Sequence, residues 1–440
     1  MKSYSLPTSS QEFEVQLGER EDAIILVPAQ LRTRMAQAHY VLDLSTLKAR
    51  RIEIDLAEHV ELLAGHQDPD TGRFPLNLES LPMWQGFGIG PHSDTHLSQH
   101  KFQIGQRGFN RFIELDIATT MARLQDPEIE DYFLSCSNWV DPDTGDCYFA
   151  GWAIEDSIRR NRDPQAPVAV NVFRASNSME DIVKIWSGAF GDFLHQLNVS
   201  ADGRYLILCE MGMRPARPTP TGHPGNNPGA WRRFHQAGMI ESEILVLDLE
   251  RGAEWRFRPP TPTAAHIEFH PEAPDLCYLS CHNVALVNGA NTHFAPGTIY
   301  KYHLGPDGPQ QMGAFSSPNF YRITSHCVFR HRGRVLIGVT GFPDRLFLLD
   351  ADSMDLYDEF RLFDGVQVDT SREPCFCPQD PRAPYGLMPS LDGESMYTVG
   401  SGVFNVVGIA SKSTKCKPWS FFRLPSEEAI AGHLSSIRTN

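Results

Sequence analysis

The amino-acid sequence predicts an all-β fold, a β-propeller of seven four-stranded blades around a central channel, on three observations. Short apolar runs of about five to nine residues alternate with polar positions, whereas helical periodicity is scarce. The runs are separated by turn residues, to which 34 glycines and 32 prolines contribute. Aligned on their turns, the runs fall into a repeat.

The clearest unit reads "HQLNVS", turn "ADG", "RYLILCEM", a long loop, "SEILVLDL", turn "ERG" and "AEWRFRP". Two further units start at "HIEFHP" and "HCVFRH", and a fourth at "YGLMPS" with turn "LDG". The starting residues are His195, His266, His326 and Tyr385, spaced by 71, 60 and 59 residues. Each unit has the pattern of a four-stranded antiparallel meander, as a propeller blade requires. Upstream, "YFLSCSNWV", "DCYFAGWAI", "VAVNVFRAS" and "MEDIVKIWS" supply another blade over about 131–188. "AIILVPA", "AHYVLDLS" and "KARRIEIDL" add strands near the N-terminus. The count is six or seven blades, with seven preferred, and one blade is expected to mix N- and C-terminal strands. Such mixing closes the ring and removes its exposed edge. Two stretches read as helices, "DIATTMARLQ" (116–125) and "SEEAIAGHL" (426–434). The chain is read as one domain, 1–440, with a lid-like insert at 213–239 and a C-terminal tail at 426–440.

Composition narrows the function. The formal net charge is −15, which disfavours nucleic acid and anionic membrane as partners, because both recruit clustered Lys and Arg. No apolar run is long enough for a membrane helix, and no secretory leader is visible, so a soluble cytoplasmic protein is expected. Nine cysteines suit that compartment if reduced. Most sit in strand-like runs, and the pairs Cys277/Cys281 and Cys375/Cys377 are poorly spaced for structural zinc.

In a propeller the first strand of each blade borders the channel, and its start lies at one mouth. His195, His266 and His326 are therefore expected to occupy equivalent positions on three consecutive blades and to converge there. Three neutral imidazoles suit a divalent transition metal, Fe, Mn or Zn, with positions left for water or substrate. A fourth ligand is sought in "GIGPHSDTHLSQH", where His92, His96 and His100 are four residues apart; His96 is the first choice and His92 the second. Channel-lining or relic histidines are the structural alternative. Glu268 shares the strand face of His266 and is expected to orient a ligand or act in catalysis. The insert "MRPARPTPTGHPGNNPGAWRRFHQAGM" brings Arg232 and His235 to the mouth, and the next blade's loop brings His282 and Asn283. These four and Arg322 are the expected substrate contacts, while Tyr321 and Tyr385 are the expected proton carriers.

The "SADGRYLIL" and "SLDGESMYTVG" hairpins resemble the blades of oligogalacturonate lyase and of YncE/TolB-type propellers, over residues 190–425. That resemblance implies a divalent metal on histidines that acidifies a proton beside a carboxylate. Carotenoid-cleavage oxygenases, with iron on four histidines, are similar in architecture only. Selenium-binding protein/methanethiol oxidase propellers share the His-rich design but not their N-terminal cysteine motif. The expected function is thus a metal-dependent lyase or isomerase acting on a polar, carboxylate-bearing small molecule. An iron-dependent oxygenase and a non-enzymatic protein-binding scaffold are the alternatives.

Overall fold

The computed structural model describes residues 1–440 except 15–22, 32–35, 60–95, 99–100, 106–110, 134–138, 142–143, 153–166, 177–178, 192–193, 211–241, 262, 288–289, 294–295, 320–321, 343, 363–385, 401–402, 419–427, 431–434 and 439–440. Among these residues, seven antiparallel sheets follow one another around a ring, and the fold is a seven-bladed β-propeller. Blade IV runs from the axis outward as Leu194–Val199, Tyr205–Glu210, Ile244–Asp248 and Ala253–Phe257. Blade V is Ala264–Phe269, Leu276–Cys281, Thr298–Gly305 and Gly308–Ser316. Blade VI is Arg322–His331, Arg334–Phe342, Arg345–Asp350 and Leu356–Arg361. Blade VII is Gly386–Pro389, Ser395–Gly400, Val403–Gly408 and Ser413–Pro418. These are the four units read from the turns. The expected blade at 131–188 is also present as blade III, with its inner strand split into Tyr132–Phe133 and Trp139–Val140, both paired to Cys147–Trp152.

Both chain ends are used to complete sheets. In blade I, Ala23–Leu31 pairs on one edge with Ala36–Asp43 and on the other with Glu428–Ile430 and Ser435–Arg438. N- and C-terminal strands therefore share one blade, as expected. The first residues go further: Lys2–Leu6 adds a fifth, outer strand to blade II, and Thr8–Glu14 does the same for blade I.

The two helix expectations fail. Residues 116–125 form a hairpin, with Phe112–Asp116 paired to Met121–Asp126. Asp116 Oδ1 accepts the backbone N–H groups of Ala118 and Thr119, and Thr120 sits at φ 59°. That aspartate-capped turn competes with helix formation. In the second stretch, residues 428–430 are strand, because an unpaired edge of blade I takes them up. Among the described residues the helical structure is the single turn Ala57–His59, and no helix is long and apolar enough to cross a membrane.

The core lies between blades. Tyr205, Ile207, Cys209, Ile244 and Val246 of blade IV pack on Ile267, Phe269, Cys277 and Leu279 of blade V. Tyr278 and Ile299 of blade V pack on Ile323, Ile337, Val339 and Phe347 of blade VI. The second strands, "YLILCE" and "LCYLSC", have neighbours on both faces, are buried along nearly their whole length and are mostly apolar. The outer strands alternate or are exposed, as in "GPQQMGAFS". Polar staples cross the seams. Tyr278 Oη donates to the Ala351 carbonyl at 2.9 Å, and the buried Lys301 Nζ donates to the Ala351 and Asp352 carbonyls at 3.0 and 2.8 Å.

The two Asp-Gly turns are the same object. Ser200 Oγ donates to Asp202 Oδ1 and accepts the Tyr205 amide; Ser390 Oγ donates to Asp392 Oδ1 and accepts the Ser395 amide. Gly203 and Gly393 sit at φ 72° and 70°, a conformation that costs any other L-residue about 1–2 kcal/mol.

Candidate functional site at the seam of blades V and VI

The innermost strands of blades IV, V and VI each contain a β-bulge, and the bulges set the register of the histidines. Leu194 faces Glu210 and Gln196 faces Cys209, so His195 is the extra residue. The corresponding extra residues are Ala265 in blade V and Thr324 in blade VI. His266 therefore matches Gln196, and His326 matches Leu197 and Ile267. The three histidines stand on successive positions of the repeat, where the sequence suggests equivalent ones. The shared bulge fixes the register: His195 is the bulged residue, His266 follows it by one and His326 by two, and successive strand residues point to opposite faces.

This offset decides which seam each side chain enters. Ile267 and Phe269 pack toward blade IV, so His266 and Glu268 face blade VI. In blade VI, Cys327 and Phe329 pack toward blade VII, so His326 faces back toward blade V. His266 and His326 thus enter one seam from opposite sides, with ring centroids 6.2 Å apart. His282, just past the second strand of blade V, joins them at 6.0 Å from His266. The backbone positions His282 directly, since its N–H donates to the Thr263 carbonyl at 2.9 Å. All three rings are buried, and His326 is fully so.

His326 Nε2 lies 3.2 Å from the Tyr278 carbonyl, which can only accept, so the ring proton resides on Nε2 and the lone pair on Nδ1. Burial holds this imidazole down to about 4, and the carbonyl only partly offsets that. The ring is neutral at pH 7. Two side chains that sequence reasoning missed join blade IV to this strand. Gln196 imitates a backbone edge, donating from Nε2 to the Ile267 carbonyl at 2.9 Å and accepting the Ile267 N–H. Asn198 Nδ2 donates to the same carbonyl at 2.8 Å and to Glu268 Oε2 at 3.3 Å. Their signal in the sequence was the polar alternation of "HQLNVS".

Glu268 is half-buried, two residues along the same strand face as His266. Asn283, expected at the substrate, uses its amide structurally. At φ 53° it donates from Nδ2 to the Pro296 carbonyl and to Thr298 Oγ1, tying the base of the hairpin formed by Val284–Val287 and Ala290–His293. That hairpin rises on the same face of the ring as His282. The backbones of His96, His195 and Arg322 lie on innermost strands of blades II, IV and VI; their side chains are outside the described residues. His92, Arg232, His235, Tyr321 and Tyr385 also lie outside them, as does the 213–239 insert.

Among the described residues no three His, Cys, Asp or Glu side chains are disposed to enclose one metal ion as they stand. Tetrahedral ligation at the usual metal–nitrogen length brings imidazole centres to about 5 Å from one another, against 6.0 and 6.2 Å for the two pairs around His266. The described thiols are inert: Cys147, Cys209, Cys277, Cys281 and Cys327 are free and buried, and burial pushes all five up, Cys281 to about 12.

No protein-family model matches the chain, and no curated protein does. The resemblance to oligogalacturonate lyases thus rests on the hairpin turns alone. Solved structures are similar in fold; one titled as the crystal structure of a mitotic checkpoint complex is 9% identical at a TM-score of 0.40. The match covers 65% of this chain and 63% of that one.

Proposed function

We propose that the protein is a metal-dependent enzyme acting on a polar, carboxylate-bearing small molecule, as a lyase or isomerase. One observation carries this reading: buried imidazoles from the inner strand of blade V, the end of its second strand and the inner strand of blade VI gather around His266. Neutral imidazole nitrogens favour Fe, Mn or Zn over oxygen-seeking Ca or Mg. His266, His282 and His326 would hold the ion after modest rotation of the His266 and His282 rings, with His195 and His96 as further candidates on innermost strands. When bound, the metal supplies Lewis acidity to a carboxylate or carbonyl oxygen. Glu268, held by Asn198, is the base beside the site. Arg322, which opens the inner strand of blade VI, is the group to anchor a substrate carboxylate.

An iron-dependent oxygenase is the second chemistry for the same ligands. A scaffold role at the mouth calls for exposed aromatic and charged groups there, whereas the described large exposed apolar side chains, such as Val183, Met312 and Leu356, lie on outer strands.

Elemental analysis of protein purified without an affinity tag tests the reading. About one equivalent of zinc or manganese is expected for the lyase, iron for the oxygenase, and none for a scaffold. His266→Ala should lower metal content at least about tenfold while the β-rich circular dichroism spectrum is unchanged. Full occupancy in that variant overturns the assignment.

A further inference from the structure

The metal reading leaves open which nitrogen of each ring is used and which histidine serves the metal rather than the fold. We propose that His326 is a dedicated ligand that binds a divalent transition metal through Nδ1, with the Tyr278 carbonyl holding its Nε2–H; this rests on the metal reading above.

The repeat itself provides the comparison. Positions equivalent to His326 are Leu197 in blade IV and Ile267 in blade V, both buried at 1% exposure and packed against the preceding blade. The propeller needs only an aliphatic side chain there. Blade VI instead places an imidazole, fully buried, whose Nδ1 has no hydrogen-bond partner among the described residues. An unsatisfied buried acceptor destabilises the fold, and a leucine would avoid that cost. A ligand that accepts the lone pair explains why imidazole stands there.

The other nitrogen fits the same role. Metal-bound histidines generally donate their second N–H to a carbonyl or carboxylate, which fixes the tautomer and aims the ring. The Tyr278 carbonyl does this at 3.2 Å, and its position is itself held, because the Tyr278 hydroxyl is stapled to the Ala351 carbonyl of blade VI. The ring is thereby pre-aimed before any ion arrives. His266 stands opposite, across the seam.

The test compares three proteins, made without affinity tags and stripped with a chelator, by calorimetric titration with Zn²⁺. His326→Gln keeps a donor amide near the Nε2 position for Tyr278 but has no Nδ1. His326→Leu installs the residue of blade IV. Both variants should lose zinc affinity by about 100-fold or more, while the urea midpoint of the metal-free His326→Leu protein equals or exceeds that of the parent. In long-range ¹H–¹⁵N spectra of the parent, zinc should shift His326 Nδ1 and leave Nε2 protonated. Parental zinc affinity in His326→Gln, or coordination through Nε2, overturns this assignment and leaves the metal reading standing. Absence of zinc binding by the parent overturns both.

Discussion

Between pH 7 and pH 4 the protein loses about 3 kcal/mol of folding stability through His39 alone. His39 is fully buried in the strand Ala36–Asp43 of blade I, and burial holds its imidazole down to about 3, against 6.5 when exposed. The unfolded chain therefore binds a proton at a pH where the folded chain does not. The stabilisation is complete above pH 6.5, falls as the pH drops below it, and levels off only below about 3. His326, held to about 4, acts in the same direction over the same interval. Against a total of about 5–15 kcal/mol for a folded domain, losses of this size are a large share and begin above the carboxylate range. Urea unfolding followed from pH 7 to pH 4 should show the decline, and His39→Gln should make it shallower. An equally steep decline in that variant would refute the assignment.

The second large effect separates two glycines with the same local conformation. Gly203 and Gly393 occupy equivalent turns at φ 72° and 70°. A β-carbon at Gly203 meets nothing within 4 Å, whereas one at Gly393 would overlap the backbone carbonyl of Arg330 on the neighbouring hairpin. That hairpin is tied down: His331 Nδ1 donates to the Gly393 carbonyl at 2.7 Å, and Arg332 grips the Glu394 carboxylate through Nε and Nη2. Gly203→Ala should cost only the left-handed penalty, about 1–2 kcal/mol. Gly393→Ala carries the same penalty, and prying the hairpins of blades VI and VII apart adds roughly another 2 kcal/mol or more. Equal urea midpoints for the two variants would show that the close approach is not felt.

Much of this architecture was legible before any coordinates. Hairpin turns such as "ADG" and "LDG" mark where strands reverse, and aligning on them exposed the blades because turn chemistry is local. The failures were non-local. Residues 116–125 show helix-compatible spacing, yet Asp116 caps a turn and the strand partners lie elsewhere in the chain. Of the three strand-start histidines, His266 and His326 were legible as strand residues but not as facing one seam. His266 and His326 enter one seam beside His282 because they stand one and two residues past the bulge that the three inner strands share, at His195, Ala265 and Thr324. A one-residue bulge is hard to place within a six-residue run, so a histidine in the sequence could be assigned to a strand but not to a face. Gln196 and Asn198 were overlooked because their value lies in a carbonyl of the next blade.

Blade I has a consequence for how the molecule comes into being. Ala23 is paired with Arg438, and Lys2–Leu6 lies along a different blade from Thr8–Glu14. During synthesis the strand Ala23–Leu31 has one side bare until residues 428–438 leave the ribosome. Assembly of the hoop is then a late event with very distant partners, the kind that proceeds slowly. The waiting edge is the place where a crowded, half-made chain would stick to its neighbour.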